Sequence, residues 1–318
     1  SKMKDAFSAR AHSPVTTSDT LHLSLPLSRR YALSVVTEQV MKKLFSRLAL
    51  WLGLISPLAQ AYPAVDVRMD DVDLELVGSI HMASDRLATL PASLLERLDQ
   101  VDALIVEADI TASEPLAPIA PPTQPLSARL NTEQFALLEK YAHETGLSVP
   151  LLNSLHPWQA ALTLQAMQAQ KLGMSAEYGV DYQILQHARQ RALPIIELEG
   201  SQTQMNILET LEDDGMPLLV ETLEEWDNTA VTLKQVESLW VSTDKTVPSL
   251  DNVPDLADGL HSPLLAERNQ KWADKLKDMP PGRYMVVVGA LHLIGKDNLP
   301  QLLQQSTTTA STSAAKLI

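Results

Sequence analysis

The stretch YMVVVGALH, residues 284–292, decides how this chain folds. Its five leading residues are apolar without a break, as in a strand buried on both faces of a sheet. Gly289 ends the run, and a histidine follows three positions later. The phrase LVGSIH, residues 76–81, has the same form more than two hundred residues earlier. Glycine lets the backbone leave a strand with unusual dihedrals or approach another group closely, so Gly78 and Gly289 mark the motif, with His81 and His292 at strand ends.

Working outward, Asp73–Val77 reads as a strand, Pro91–Gln100 as an amphipathic helix with Leu94, Leu95 and Leu98 on one face, and Ala103–Val106 as a second strand closed by Glu107. Strand, helix and strand within about thirty-five residues predict a βαβ unit and a parallel pair. A loop with Pro115, Pro118, Pro121, Pro122 and Pro125 follows, long enough for a lid or a variable insertion. Helices are expected over 132–145, 157–172 and 180–192; the run Trp158, Leu162, Leu164, Met167 reads as core packing. Ile195–Leu198 is a short strand leading into Glu199. Helices are again expected over 201–212, 230–241 and 264–277, with a surface loop over 243–263. The order predicts an α/β domain with a largely parallel, mixed sheet flanked by many helices.

If the strands ending at Gly78, Glu107, Glu199 and Gly289 are parallel neighbours, two imidazoles and two carboxylates share one rim. The carboxyl edge of such a sheet is where ligands bind. Donors of nitrogen and oxygen only suit zinc, manganese, cobalt or iron, with a position open for water. Such a metal lowers the pKa of bound water and polarises a carbonyl, the chemistry of amide and ester hydrolysis. Arg268 and Asn269, on a helix before the last strand, either orient a carboxylate or substrate carbonyl or face solvent. Asp181 reads as a helix-start residue, and His143, His156, His187 and His261 as structural. The sequence holds no Gly-x-Ser-x-Gly elbow, Walker loop, dinucleotide fingerprint or His-Glu-x-x-His, which argues against the hydrolases, NTPases, dehydrogenases and peptidases built on them.

The beginning of the chain has another character. Met41-Lys42-Lys43 and Arg47 form a basic stretch, Leu48–Ile55 an apolar run, and Ala59-Gln60-Ala61 a small-residue cleavage pattern. That order is a secretory signal peptide over 41–61, too short to span a bilayer. Residues 1–40 are then an upstream extension without sustained periodicity, 62–305 a single domain beginning near Tyr62, and 306–318 a disordered Ser/Thr-rich tail. The first 61 residues hold eight Lys/Arg and three Asp/Glu, so the remaining 257 carry 17 basic and 36 acidic side chains, a net charge of −19. So acidic a surface disfavours nucleic acid and anionic lipid. Having no cysteine excludes disulfides and thiolate metal sites.

The segments LVGSIHMAS (76–84), ALIVEAD (103–109), EYGVDYQIL (177–185), PIIELEG (194–200), ERNQKW (267–272) and PPGRYMVVVGALHLIGKDNLPQLL (280–303) together resemble the TraB/PrgY/GumN family, most closely its small periplasmic bacterial members. The resemblance covers nearly all of the chain after residue 62. It implies an EreA/ChaN-like α/β core related to the Tiki metalloproteases, in which His81, His292 and Glu107 bind a divalent metal (Mn, Co or Zn) and act on a peptide or protein. Glu107 would be ligand or general base, with Arg268, Asn269 and Glu199 in support. Other relatives implied by the family are non-catalytic, which leaves a periplasmic peptide- or haem-binding protein as the alternative.

Overall fold

The computed structural model describes residues 62–241 and 259–304. The upstream extension, the signal peptide, the C-terminal tail and most of the 243–263 loop lie outside the described residues.

Five strands form the sheet: β1 (Ala64–Met69), β2 (Val72–Ser79), β3 (Ala103–Val106), β4 (Ile195–Glu197) and β5 (Gly282–Gly289). Ten α-helices are described: α1 (Ala92–Leu98), α2 (Thr132–Thr145), α3 (Val149–Asn153), α4 (Pro157–Lys171), α5 (Val180–Gln190), α6 (Ser201–Glu209), α7 (Met216–Glu224), α8 (Trp226–Val241), α9 (Glu267–Lys277), entered through a π-helical turn at Ser262–Ala266, and a short α10 over 299–304. The α/β class and the mostly parallel, mixed sheet are those expected. Strand order is β1-β2-β5-β3-β4, with β1 antiparallel to β2 and every other neighbour parallel.

β1 was not foreseen. Met69 pairs with Val72 across a two-residue turn, and Asp70 takes a φ of 45°, a left-handed conformation that aspartate tolerates better than most side chains. The expected direct pairing of β2 with β3 does not occur, because β5 lies between them. The sequence of β5 explains its place. Met285 and Val287 face one apolar layer, with Leu94, Leu98, Ile184, Leu185 and Trp240. Tyr284, Val286 and Val288 face another, with Trp272, Leu276 and Leu299. A strand with no polar face is most stable in the middle of a sheet.

A third apolar layer is wholly helical and joins Leu138 of α2, Trp158, Leu162 and Leu164 of α4, and Leu219 and Leu223 of α7. Trp158, Leu162 and Leu164 are core, as expected, whereas Met167 is only half-buried. α7 was missed by the sequence reading; it follows three consecutive residues of positive φ, Asp213, Asp214 and Gly215. Arg129 and His156 brace that turn through Asp213 and Asp214. His156 also reaches the carbonyl of Ala120, pinning the proline-rich loop.

Candidate functional site

Register brings the two Gly-x-x-His turns together. β2 and β5 are hydrogen-bonded neighbours in which Gly78 lies opposite Val288 and Ser79 opposite Gly289, so both chains leave the sheet at nearly the same level. A Cβ on Gly78 would stand 3.2 Å from the Cβ of Ala290. Close approach, rather than unusual dihedrals, is what requires glycine there, and neither Gly78 nor Gly289 has a positive φ. On the other side of β5, Val106 pairs with Val287, which sets Glu107 just past the same rim. The backbone NH groups of Glu199 and Gly200 both donate to the Glu107 carbonyl at 3.0 Å, fixing that residue from the β4 side.

The Glu107 carboxylate is the meeting point, and His81, Glu107 and His292 are all buried. His292 Nε2 lies 3.4 Å from Glu107 Oε1, and His81 Nε2 lies 4.0 Å from Oε2, one imidazole toward each oxygen. Neither Nε2 has a hydrogen-bond partner. Both Nδ1 atoms do: that of His81 lies 2.7 Å from Asp181 Oδ2, and that of His292 lies 2.6 Å from Asn269 Oδ1. The Asn269 amide nitrogen donates to the carbonyl of Asp297 at 2.9 Å, which turns its oxygen toward His292 and places a proton on His292 Nδ1. The His292 ring also packs on Trp272, with centroids 4.3 Å apart. Burial lowers the pKa of His292 below the ordinary imidazole value, and Arg268 opposes its protonation too.

Arg268 is buried rather than on an exposed helix face. Its Nη2 donates to Glu107 Oε1 at 2.7 Å, and its Nε donates to Glu199 Oε1 at 2.7 Å. Glu199 also accepts from Trp272 Nε1 at 2.9 Å. Glu199 therefore stands behind Arg268 and holds it, while Glu107 alone faces the imidazoles. Gly289 N donates to Glu107 Oε2 at 3.2 Å. Burial raises the pKa of Glu107, but His292, Arg268 and His81 together outweigh it and hold the carboxyl down at about 2, fully ionised at neutral pH.

Asp181 is the residue that sequence reasoning assigned elsewhere. It does lie in the first turn of α5, yet its side chain is buried against His81. The helix docks there through the Val180 NH, which donates to the Ile80 carbonyl at 2.8 Å. Gly179 permits this, since a Cβ on it would fall 2.4 Å from the His81 carbonyl oxygen. Ser84, just past the first motif, is held by Glu237 of α8. The other described histidines are elsewhere: His156 at Asp214, His187 at Asp99, His261 near Asp297, and His143 on the exposed side of α2.

Size does not locate this chemistry. A cavity of about 460 Å³ lies at the opposite, amino rim of the sheet, where Arg68 pairs with Asp73 and Arg97 with Glu75. The cavity beside His81 and Glu107 is only about 10 Å³. Among the described residues no group of three or more His, Cys, Asp or Glu side chains stands so placed that it could hold a metal ion, and no helix is long and apolar enough to cross a membrane.

Comparison with known proteins places the chain in a family. An uncharacterized protein, YbaP, of Escherichia coli (strain K12) is 43% identical over 244 residues, which is 76% of this chain and 92% of that protein. The YbaP protein of Shigella flexneri matches to the same extent. No solved structure gives a significant match. The model of the TraB/PrgY/gumN family matches residues 65–312, spanning both Gly-x-x-His turns and every strand from β2 to β5, and the chain belongs to that family.

Proposed function

We propose that this chain is a periplasmic, divalent-metal-dependent hydrolase of peptide bonds, with His81, His292 and Glu107 as donors to the ion. One observation carries the reading: two buried imidazoles, each engaged through Nδ1, present idle Nε2 atoms to the two oxygens of one ionised carboxylate. Buried polar atoms without partners are rare and call for an explanation.

The types of donor suit a divalent ion. Histidines that ligate metals characteristically donate their second ring NH to a carboxylate or carbonyl oxygen, as these do to Asp181 and Asn269. Two ligands about 2.1 Å from a common ion stand roughly 3 to 4 Å apart, and both imidazole–carboxylate separations fall in that range. Nitrogen and oxygen donors without thiolate suit manganese, cobalt or zinc. Such an ion supplies Lewis acidity toward water and a substrate carbonyl. The chain's own groups supply the rest. Asp181 and Asn269 fix the ring orientations, Arg268 balances the charge of Glu107 and Glu199, and burial keeps bulk water from the reacting atoms.

Elemental analysis of protein purified from the periplasm, wild type against a His81→Ala/His292→Ala double variant, tests the reading. The expected result is bound Mn, Co or Zn in the wild type, background metal in the variant, and turnover of a peptide library by the wild type alone. Full metal content in the variant overturns it. Co-purified peptide or haem with no turnover in the presence of added metal would support the binding-protein alternative.

A further inference from the structure

The 10 Å³ cavity beside the site has room for about one water. Its apolar walls include Val106, Leu185 and Val287, and four residues that line it carry buried polar atoms with no partner in the fold: Ser79 Oγ, His81 Nε2, Asp181 Oδ1 and both amide atoms of Gln204. Gln204 is 4% exposed and is the one polar residue of α6 that is buried; its buried companions Met205 and Leu208 belong to the helical core. Burying a carboxamide with neither its donor nor its acceptor used is costly. A water both donates and accepts, and a buried water is stable where it finds two to four polar partners in a space of this size.

We propose that Gln204, with Ser79, holds a single water in this cavity beside His81 and Glu107, and that Gln204 is thereby the positioning residue for the water that hydrolysis consumes. The second part rests on the hydrolase reading above; the water site itself does not. In amide hydrolysis the oxygen of the water bonds to the carbonyl carbon, the carbon–nitrogen bond breaks, and one proton of the water ends on the leaving amine. The carboxamide of Gln204 exchanges no proton at neutral pH, so its part is orientation. It offers the water an NH and a carbonyl oxygen at fixed positions, and the partner-free Asp181 and His81 atoms face the same space.

Gln204→Leu removes both amide atoms at similar size, and Gln204→Glu keeps the shape with an acceptor. Crystal structures that order waters should show one within hydrogen-bond distance of Gln204 and Ser79 in the wild type, absent from Gln204→Leu. On a fluorogenic peptide mixture with added Mn²⁺, kcat of Gln204→Leu should fall roughly 10- to 100-fold. Its KM, metal content and Tm should be unchanged, Gln204→Glu should recover part of the rate, and Ser79→Ala should lose less. A dry wild-type cavity, a cation in direct contact with Gln204, or a Gln204→Leu variant that keeps both its water and its kcat overturns the proposal. If Gln204→Leu fails to fold, Gln204→Met takes its place with the same expected readings. Wild-type protein loaded with metal but inert on peptides removes the positioning role along with the hydrolase reading, and the crystallographic water alone then decides the site.

Discussion

Two buried glutamates belong to the same sheet, one midway along a strand and one at the carboxyl rim, and their surroundings differ in kind. Glu75, midway along β2, accepts from Tyr62 Oη at 2.5 Å and Arg97 Nε at 2.7 Å, and its neighbours there are charges already paired with one another. Glu107, at the carboxyl rim, accepts from Arg268 and the Gly289 NH, yet stands among imidazole, hydroxyl and carboxamide atoms that have no partners. Burial is nearly equal, 5% against 6% exposed. Unspent hydrogen-bonding capacity, rather than burial, therefore separates the two glutamates.

That contrast can be broken in four ways. Glu107→Ala should have the largest effect, because it leaves the buried Arg268 guanidinium short of one partner; a loss of about 3–5 kcal/mol in denaturant unfolding is expected, together with loss of metal uptake. Unchanged stability would show that Glu107 is not the hub. Acid should expose the same carboxylate. Its folded pKa near 2 lies below an unfolded value of about 4.3, so its contribution is complete above pH about 4.3 and is lost as pH falls toward 2. Thermal melts in chelator from pH 6 to pH 3 should show a fall in Tm that is shallower in Glu107→Gln. Next in size is Gly179→Ala, whose methyl would meet the His81 carbonyl oxygen; about 1–3 kcal/mol of stability should go, and metal binding should weaken because His81 is displaced. Smallest is Glu75→Gln, costing about 1 kcal/mol through its bonds to Tyr62 and Arg97. Metal content and turnover should not change, and any change there would erase the distinction between the two glutamates.

The sequence shows these regions unequally. Strands with an apolar run and a terminal glycine were readable because the pattern is local and no other structure suits VVVG or ALIV. The pairing of His81 with His292 was readable because the two phrases repeat. The neighbours of β5 were not, since strand order is decided by which strand lacks a polar face, a comparison among strands rather than a property of one. β1 was legible in principle, as two alternating runs around Asp70-Asp71. Asp181 and Gln204 were not legible: a carboxylate in a first helical turn and a glutamine in an amphipathic helix look the same whether they face solvent or a site. The contact of Asp181 with His81 spans 100 residues, and only tertiary packing creates it. Arg268 was ambiguous for the same reason, and its burial follows from the two carboxylates that meet it.

The central strand is also the last to be made. β2 and β3 are synthesised early and have no direct contact in the finished sheet, so a gap one strand wide persists until residues 282–289 arrive. Closing that gap ties distant parts of the chain together, which slows folding and leaves two open strand edges exposed to wrong partners meanwhile. Both histidine turns assemble only in that closing event, so a nascent or truncated chain would carry half a site on an unfinished scaffold.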